Sequence, residues 1–346
     1  MEEIRIAKDD AGQRLDRFLR KYLRGAALPT VFKLIRTRQV SVNDARARPE
    51  QRLAEGDRLV IFPGERRLGD LRRKEGPARP APAERIEVLH EDADLLALAK
   101  PAFLLVHPGR DDDGEGTLLD AVLARTGPGE ARTFRPALAH RLDRLTSGVV
   151  LVGKSAEGLR GLTRALKAGE IEKFYLALVR GETEDSGEIE APLRKEELFG
   201  ADRPRVRVDR RGGKPASTHF RTLSRSRGLS LLVVRPRTGR THQIRAHLAH
   251  VGHPVAGDPT YGDRALNRTL RGRHGLWRQW LHALAVRLRH PVTGAALRII
   301  APVPVELLRV LEGEGFPPLP APERLPGIAD GTHPGRYPPV ADRPEP

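Results

Sequence analysis

The chain has 346 residues and no cysteine. That is enough length for about two domains, and it excludes disulfides, thiolate catalysis and cysteine-ligated zinc or iron–sulfur clusters. Its net charge is +16, and 51 of its 61 cationic residues are arginine, whose forked guanidinium suits phosphates and stacks on bases, so nucleic acid is the expected partner class. The N-terminus lacks a signal-peptide pattern, and no apolar run approaches the ~20 residues of a membrane span. A cytoplasmic protein with no membrane partner is therefore expected.

Four zones follow in chain order. Over residues 12–62, Leu15, Phe18, Leu19, Tyr22 and Leu23 recur at helical spacing, with Arg17, Arg20, Lys21 and Arg24 on the opposite face. After the start signal Pro29-Thr30, a second helix sets Val31, Leu34 and Ile35 inward and Lys33 and Arg36 outward. Val40–Asn43 and Asp57–Phe62 read as short strands. The segment holds 12 cations against 5 acids. A charged helix face is ordinarily just solvated, but two helices sharing a cationic side also form a phosphate-binding surface. Residues 63–83, charged and rich in Pro, Gly and Ala, read as a linker.

Residues 84–312 read as one large domain. Ile86–Leu89 and Leu95–Leu98 flank a polar turn, as in a hairpin. Val149–Val152 is a buried strand, and Ser155 caps a helix that runs to Lys167 and is closed by Gly169. Strands are expected at Phe174–Val179, His219–Leu223, Leu229–Val234 and Leu281–Leu288, with a helix capped by Thr241 and another at Val305–Leu311. Strands adjoin without crossovers, so the expected class is α+β with a mostly antiparallel or mixed sheet. From Gly313 to Pro346, 10 of 34 residues are proline, and this tail is expected to be disordered.

Two segments carry the density of chemistry. His140-Arg141-Leu142-Asp143-Arg144-Leu145-Thr146-Ser147-Gly148 sets one carboxylate between two arginines, either a nucleophile or base poised by cations or an ordinary salt bridge. Arg237-Thr238-Gly239-Arg240-Thr241-His242-Gln243-Ile244-Arg245 offers cationic and amide donors at a helix start. They suit a phosphate or the Asp143 carboxylate, or belong to a capped helix whose arginines face water. His242, His247, His250 and His253 do not fit a metal site, because His242 is turned away from His247 and no Glu sits in the helix. Asp111–Gly116 lacks the twelfth-position Glu of a calcium loop and reads as a solvated acidic loop. Tyr175, on an alternating strand, is either core or a platform for an unpaired base. Gly257–Asp263 reads as a structural turn.

Taken in order, Lys100-Pro101 to Pro108, His140 to Gly148, Lys173 to Gly181 and Arg237 to Gly262 resemble the RluA class of pseudouridine synthases. The N-terminal zone resembles the S4 RNA-binding domain that precedes the catalytic domain in the enzymes of large-subunit ribosomal RNA. The resemblance implies conversion of RNA uridines, 23S ribosomal RNA first and tRNA as the alternative, with no cofactor, metal or nucleotide and no need of an oligomer. It makes Asp143 the catalytic residue and sets Tyr175 beneath the uracil, where it assists proton removal. Arg240 would pair with Asp143, with Arg245 as the second candidate, and Arg141 would open the RNA or hold the extruded nucleotide. Arg144, Thr146, His242 and Arg245 complete the expected RNA contacts near the site, with Arg17, Lys33 and Arg36 in the S4-like zone.

The class usually has Asn before the Lys-Pro and Gly two residues after the Pro, where this chain has Ala99 and Phe103, and Leu145 stands where an acid is common. Two rival readings remain. One is an RNA N-glycosidase using Asp143 with Asp258 as an acid/base pair; the other is a non-catalytic RNA-binding or ribosome-assembly factor.

Overall fold

The computed structural model describes residues 1–62, 71, 86–109, 114–127, 129–196 and 205–328. The expected linker (apart from Leu71), the acidic stretch 111–113 and the tail beyond 328 lie outside them.

The N-terminal module is a four-stranded antiparallel sheet covered by two helices. Its elements are β1 (Glu2–Arg5), α1 (Leu15–Tyr22), α2 (Leu28–Arg36), β2 (Val40–Val42), β3 (Ala45–Arg46) and β4 (Arg58–Ile61), in sheet order β1-β4-β2-β3. Leu15, Phe18 and Leu19 of α1 and Val31, Leu34 and Ile35 of α2 close over the sheet. The module begins ahead of the expected residue 12, because β1 pairs along β4 and Ile4 and Ile6 enter the same core. A four-residue strand with one buried position carries too little alternation to be seen in sequence.

The second module continues with β5 (Glu87–Glu91), β6 (Leu95–Lys100), α3 (Leu118–Thr126), β7 (Ala137–Leu138), β8 (Ser147–Gly153), α4 (Ala156–Ala168) and β9 (Glu172–Arg180). Next come β10 (Ser186–Glu190), β11 (Leu193–Glu196), β12 (Arg205–Val208), β13 (Ser217–Ser226) and β14 (Leu229–Pro236). Helices α5 (Gln243–His250) and α6 (Arg264–His274), strands β15 (Leu281–Arg289) and β16 (Ala296–Ile300), and α7 (Val305–Gly313) complete it. The large sheet has the order β10-β13-β14-β9-β15-β8-β6-β5, with β16 beside β15 and β7 beside β8. Only β8 and β15 run parallel within it, so the class is α+β with a mixed sheet.

Period-two alternation divides the core. Tyr175, Ala177 and Val179 of β9 face one side with Ile244 and Leu248 of α5. Phe174, Leu176 and Leu178 face the other, with Leu270 of α6 and Leu307 of α7. Ser155 accepts the Gly158 amide at the start of α4, and Gly169 closes that helix in a left-handed conformation. At the β8–β15 crossing Gly148 has φ +121°, and a Cβ there would lie 2.1 Å from the Ala283 carbonyl oxygen. Only glycine lets the two backbones meet where β8 leaves the Asp143 loop.

The tail does not start at Gly313. Phe316, Leu325 and Ile328 are buried in the core beside Trp280. Proline content obscured these three anchors, which are spaced too irregularly to show a period.

The two modules touch through carboxylates. Asp10, fully buried, accepts the backbone amides of Arg132 (2.6 Å) and Thr133 (3.0 Å) and the Thr133 hydroxyl (2.5 Å). The Gln13 amide nitrogen also reaches that hydroxyl at 2.9 Å, and Asp9 accepts the Ala156 amide at 2.8 Å, at the positive end of α4.

Two histidines are buried without charge. His247 contacts the Thr218 hydroxyl (2.9 Å) and the Ala191 carbonyl (2.8 Å), and His282 contacts the Ser147 hydroxyl (2.9 Å). Burial pushes both down to about 4 from the ordinary 6.5. The unfolded chain therefore binds protons at pH values where the folded one does not. Their contribution is whole above pH 6.5 and is lost as pH falls toward 4. Between pH 6.5 and pH 5, above the carboxylate range, folding stability should drop by roughly 2 kcal/mol per histidine. Urea midpoints across that window test this, and a flat profile would contradict it.

Candidate active site

The Asp143 loop joins β7 to β8 and is pinned from beneath. Lys100, buried at the end of β6, donates to the carbonyls of Pro101 (2.7 Å), Leu104 (2.9 Å) and Arg144 (3.1 Å). From the approach to β15, Arg278 donates to the Leu145 carbonyl (3.3 Å) and the Ser147 hydroxyl (3.1 Å), and Gln279 donates to the Thr146 hydroxyl (2.9 Å). The loop thus hangs from polar side chains that are themselves buried. Thr146, expected as an RNA contact, is one of the pinned groups and is almost fully buried.

Asp143 is paired with Arg245, not with Arg240. Arg245 Nη1 lies 2.9 Å from Asp143 Oδ2, while Nε and Nη2 grip Asp258 at 2.6 and 2.9 Å. Arg240 is exposed and donates instead to the Pro215 carbonyl at 3.1 Å. The reason is local geometry. His242, rather than Thr241, is the N-cap residue, in a left-handed conformation (φ +52°), and it rotates the start of α5 so that Arg245 points into the pocket. Among the described residues Asp143 Oδ1 has no hydrogen-bond partner, so one carboxylate oxygen stays available to a substrate.

Asp258, read as part of a structural turn, does more than shape it. Its Oδ1 also accepts the amides of Thr260 (2.8 Å) and Tyr261 (3.1 Å), so the carboxylate is buried and committed to Arg245 and the turn. That removes it as the second acid/base of a glycosidase. Arg245 also lies 5.1 Å from the centroid of the Tyr261 ring. Burial lowers Arg245 and its two carboxylates raise it; the raising prevails.

Tyr175 stands on the same wall, only 9% exposed, and burial together with the Asp143 carboxylate pushes its phenol far up. It is therefore a neutral ring and a proton donor, not a phenolate base at neutral pH. His242 is also kept neutral, because burial lowers it below the ordinary value. The Tyr261 hydroxyl accepts the Val206 amide (2.8 Å) and lies 3.1 Å from His242 Nδ1, while His242 Nε2 lies 3.9 Å from Asp143 Oδ2.

Gln243 fixes the loop above. Its Oε1 accepts the Thr238 hydroxyl (2.6 Å) and the Arg240 amide (3.0 Å), and its Nε2 donates to the Ser217 carbonyl (2.9 Å) and Thr218 hydroxyl (3.0 Å). The Thr218 hydroxyl then donates to His247 Nδ1, whose Nε2 donates to Ala191. The pocket is a cleft of about 250 Å³, walled by Asp143, Tyr175, His242 and Arg245, with Arg141 exposed at its lip.

The comparisons with known proteins settle the family. A family model described as RNA pseudouridylate synthase matches residues 94–250. The chain is 39% identical to ribosomal large subunit pseudouridine synthase C of Salmonella typhi, over 89% of this chain and 95% of that protein. The same protein of Escherichia coli K12 matches to the same extent, and that of Pasteurella multocida is 37% identical over 89% of this chain and 92% of its own length. This chain belongs to the RNA pseudouridine synthase family. Among solved structures, human RNA pseudouridylate synthase domain containing 1 superposes with a TM-score of 0.52 at 28% identity, covering 65% of this chain and 86% of that one.

Membership makes the chain an RNA pseudouridine synthase, an isomerase acting on RNA, and gives Phe103 a meaning. At the position where glycine is usual in these synthases, Phe103 adopts φ +69° and is 52% exposed. Its carbonyl accepts Arg144 Nε at 3.0 Å, so the left-handed backbone is held in place beside the Asp143 loop. The residue carries strain that glycine would not. Phe103→Gly should therefore leave the thermal midpoint unchanged or raise it by about 2 °C. A clear fall in calorimetry would show that the ring is needed for packing.

Proposed function

We propose that this chain converts uridines of large-subunit ribosomal RNA to pseudouridine, with Asp143 as the catalytic residue and as a monomer acting in the cytoplasm. The observation that carries the reading is the Asp143–Arg245–Asp258 arrangement beside Tyr175, because a protein that only bound RNA would need none of it. The names and full-length match of the relatives support ribosomal RNA as the substrate over tRNA.

The chemistry is an isomerisation. The bond from uracil N1 to ribose C1′ breaks, the base turns, and C5 joins C1′ while C5 gives up a proton and N1 gains one. No redox partner or group donor enters. The target base must leave the stack, which costs a few kcal/mol. Tyr175 gives the flipped base a flat neutral surface, and Arg245 fixes the direction in which Asp143 presents its free oxygen to the ribose. The base seated in this small cleft covers its mouth, which keeps water from the C1′ end of the broken bond. Arg141 borders the entry, and Arg144, bonded to the Phe103 carbonyl, stands on the same loop as Asp143. His242 stands beside the Asp143 oxygen that Arg245 holds and closes that side of the pocket.

The N-terminal module reads as an S4-type RNA-binding domain. Arg17, Lys33 and Arg36 are exposed, and their side chains make no hydrogen bond or ion pair among the described residues. They are free for phosphates.

Asp143→Ala should abolish pseudouridine formation and leave RNA affinity within a few-fold. Carbodiimide-induced reverse-transcription stops on treated ribosomal RNA read the product, and activity retained in this variant would sink the assignment. Arg245→Met should cost about 100-fold in kcat, as loss of a charged positioning group does, whereas Arg240→Ala should stay within about ten-fold. The reverse order would restore Arg240 as the partner of Asp143.

A further inference from the structure

A second hollow adjoins the uridine pocket. It has a volume of about 730 Å³, within the ~300–1,000 Å³ typical of ligand clefts. It runs between α4 and the ends of β9 and β14. It shares His140, Lys173, Pro236, Thr238 and Gly239 with the smaller pocket, so the two spaces are continuous. Its floor is apolar, with Ile171, Leu166 and Ala139, and its walls are cationic. The stated function uses none of this.

The cations fall into two kinds. Arg235 and Arg287 both grip Glu172, Arg287 through Nε at 2.8 Å, so that carboxylate is spent on holding them. Lys173 is different. It lies two residues before Tyr175 and so on the same face of β9, half-buried, and its ammonium makes no hydrogen bond or ion pair among the described residues. Desolvation lowers it below the ordinary lysine value. A charge withdrawn from water and left unpaired is costly, so the position calls for an anion from outside. Gly239 stands opposite, where a side chain would come within 3.6 Å of Lys173 Nζ. Lys167 and Arg237 stand exposed on the rim.

We propose that this cleft is a subsite for a nucleotide flanking the target uridine, with Lys173 at the threshold holding the phosphodiester between the two nucleotides and the Leu166–Ile171 floor receiving the neighbouring base. The inference rests on the function proposed above. The continuity of the two hollows favours the substrate strand over a free small anion. A strand entering the uridine pocket must pass Lys173, and the cleft is too large for a phosphate alone. The site reads the neighbour by fit and gives the synthase a sequence or shape preference next to its target.

The absence of cysteine makes the test direct. Thr163→Cys, on the exposed rim of the cleft, takes one photo-crosslinking label in the full chain, with transcribed large-subunit ribosomal RNA as the probe. The crosslink should map within three nucleotides of a converted uridine; a crosslink that is absent or scattered overturns the subsite. Lys173→Met should raise KM for the same transcript about ten-fold, with kcat within three-fold. It should also reduce the slope of log affinity against log salt by about one, as loss of one phosphate contact does. Lys173→Arg should restore most of the affinity. An unchanged KM and slope, or equal competition by a free mononucleotide, overturns the proposal. If the wild-type chain converts no uridine yet the labelled cleft crosslinks to one defined RNA site, the isomerase assignment fails and the RNA subsite stands.

Discussion

The geometry of the site depends on one buried guanidinium. Arg245 has almost no access to water, and a charge in that position is tolerated only if its donors are matched by acceptors of opposite sign. Asp258 meets two of them and is itself anchored by the amides of Thr260 and Tyr261, which leaves Nη1 aimed at Asp143. Three stretches far apart in sequence are thereby forced into register: the Asp143 loop, α5 and the 258–261 turn. The oxygen of Asp143 that Arg245 does not hold is placed as a by-product of neutralising a charge.

Around that centre runs a frame of buried polar side chains, in which Arg278 Nε and Gln279 Oε1 make no hydrogen bond among the described residues. Lys100, Arg278 and Gln279 hold the Asp143 loop from below, while Gln243, Thr218 and His247 hold the Arg237–Arg240 loop from above. The bonds that are made fix donor and acceptor roles across both loops and so favour one arrangement of them. Buried polar groups of this kind contribute modestly to net stability, but they penalise any displacement of the loops. Such a frame suits chemistry in which a loose base must turn within a closed space without being lost.

Much of this was legible in the sequence where the signal is local. Alternation marked β9, Ser155 and Gly169 marked the ends of α4, and the strip from His140 to Gly148 marked the loop that carries Asp143 into the pocket. What was hidden depends on contacts across long stretches of chain. Arg240 and Arg245 are equivalent in composition and proximity; only the left-handed turn at His242 decides between them, and histidine seldom announces that conformation. Arg278 and Gln279 act on residues more than 130 positions earlier, and no pattern in either segment indicates it. Asp258 sat inside a turn that looked self-sufficient. The C-terminal anchors Phe316, Leu325 and Ile328 were masked by proline, a residue that reports on backbone freedom rather than on what neighbouring side chains bury.

The carboxylates of Asp9 and Asp10 have a consequence for how a large RNA is selected. They clasp the N-terminal module to the amides of Arg132, Thr133 and Ala156, which holds its cationic helices at one separation from the Asp143 pocket. Two contact surfaces on a slack tether would accept a wide range of spacings. Joined rigidly, they behave as the jaws of a caliper. On the function proposed above, an RNA would have to present backbone and uridine at that one span, so recognition would measure tertiary distance more than read letters.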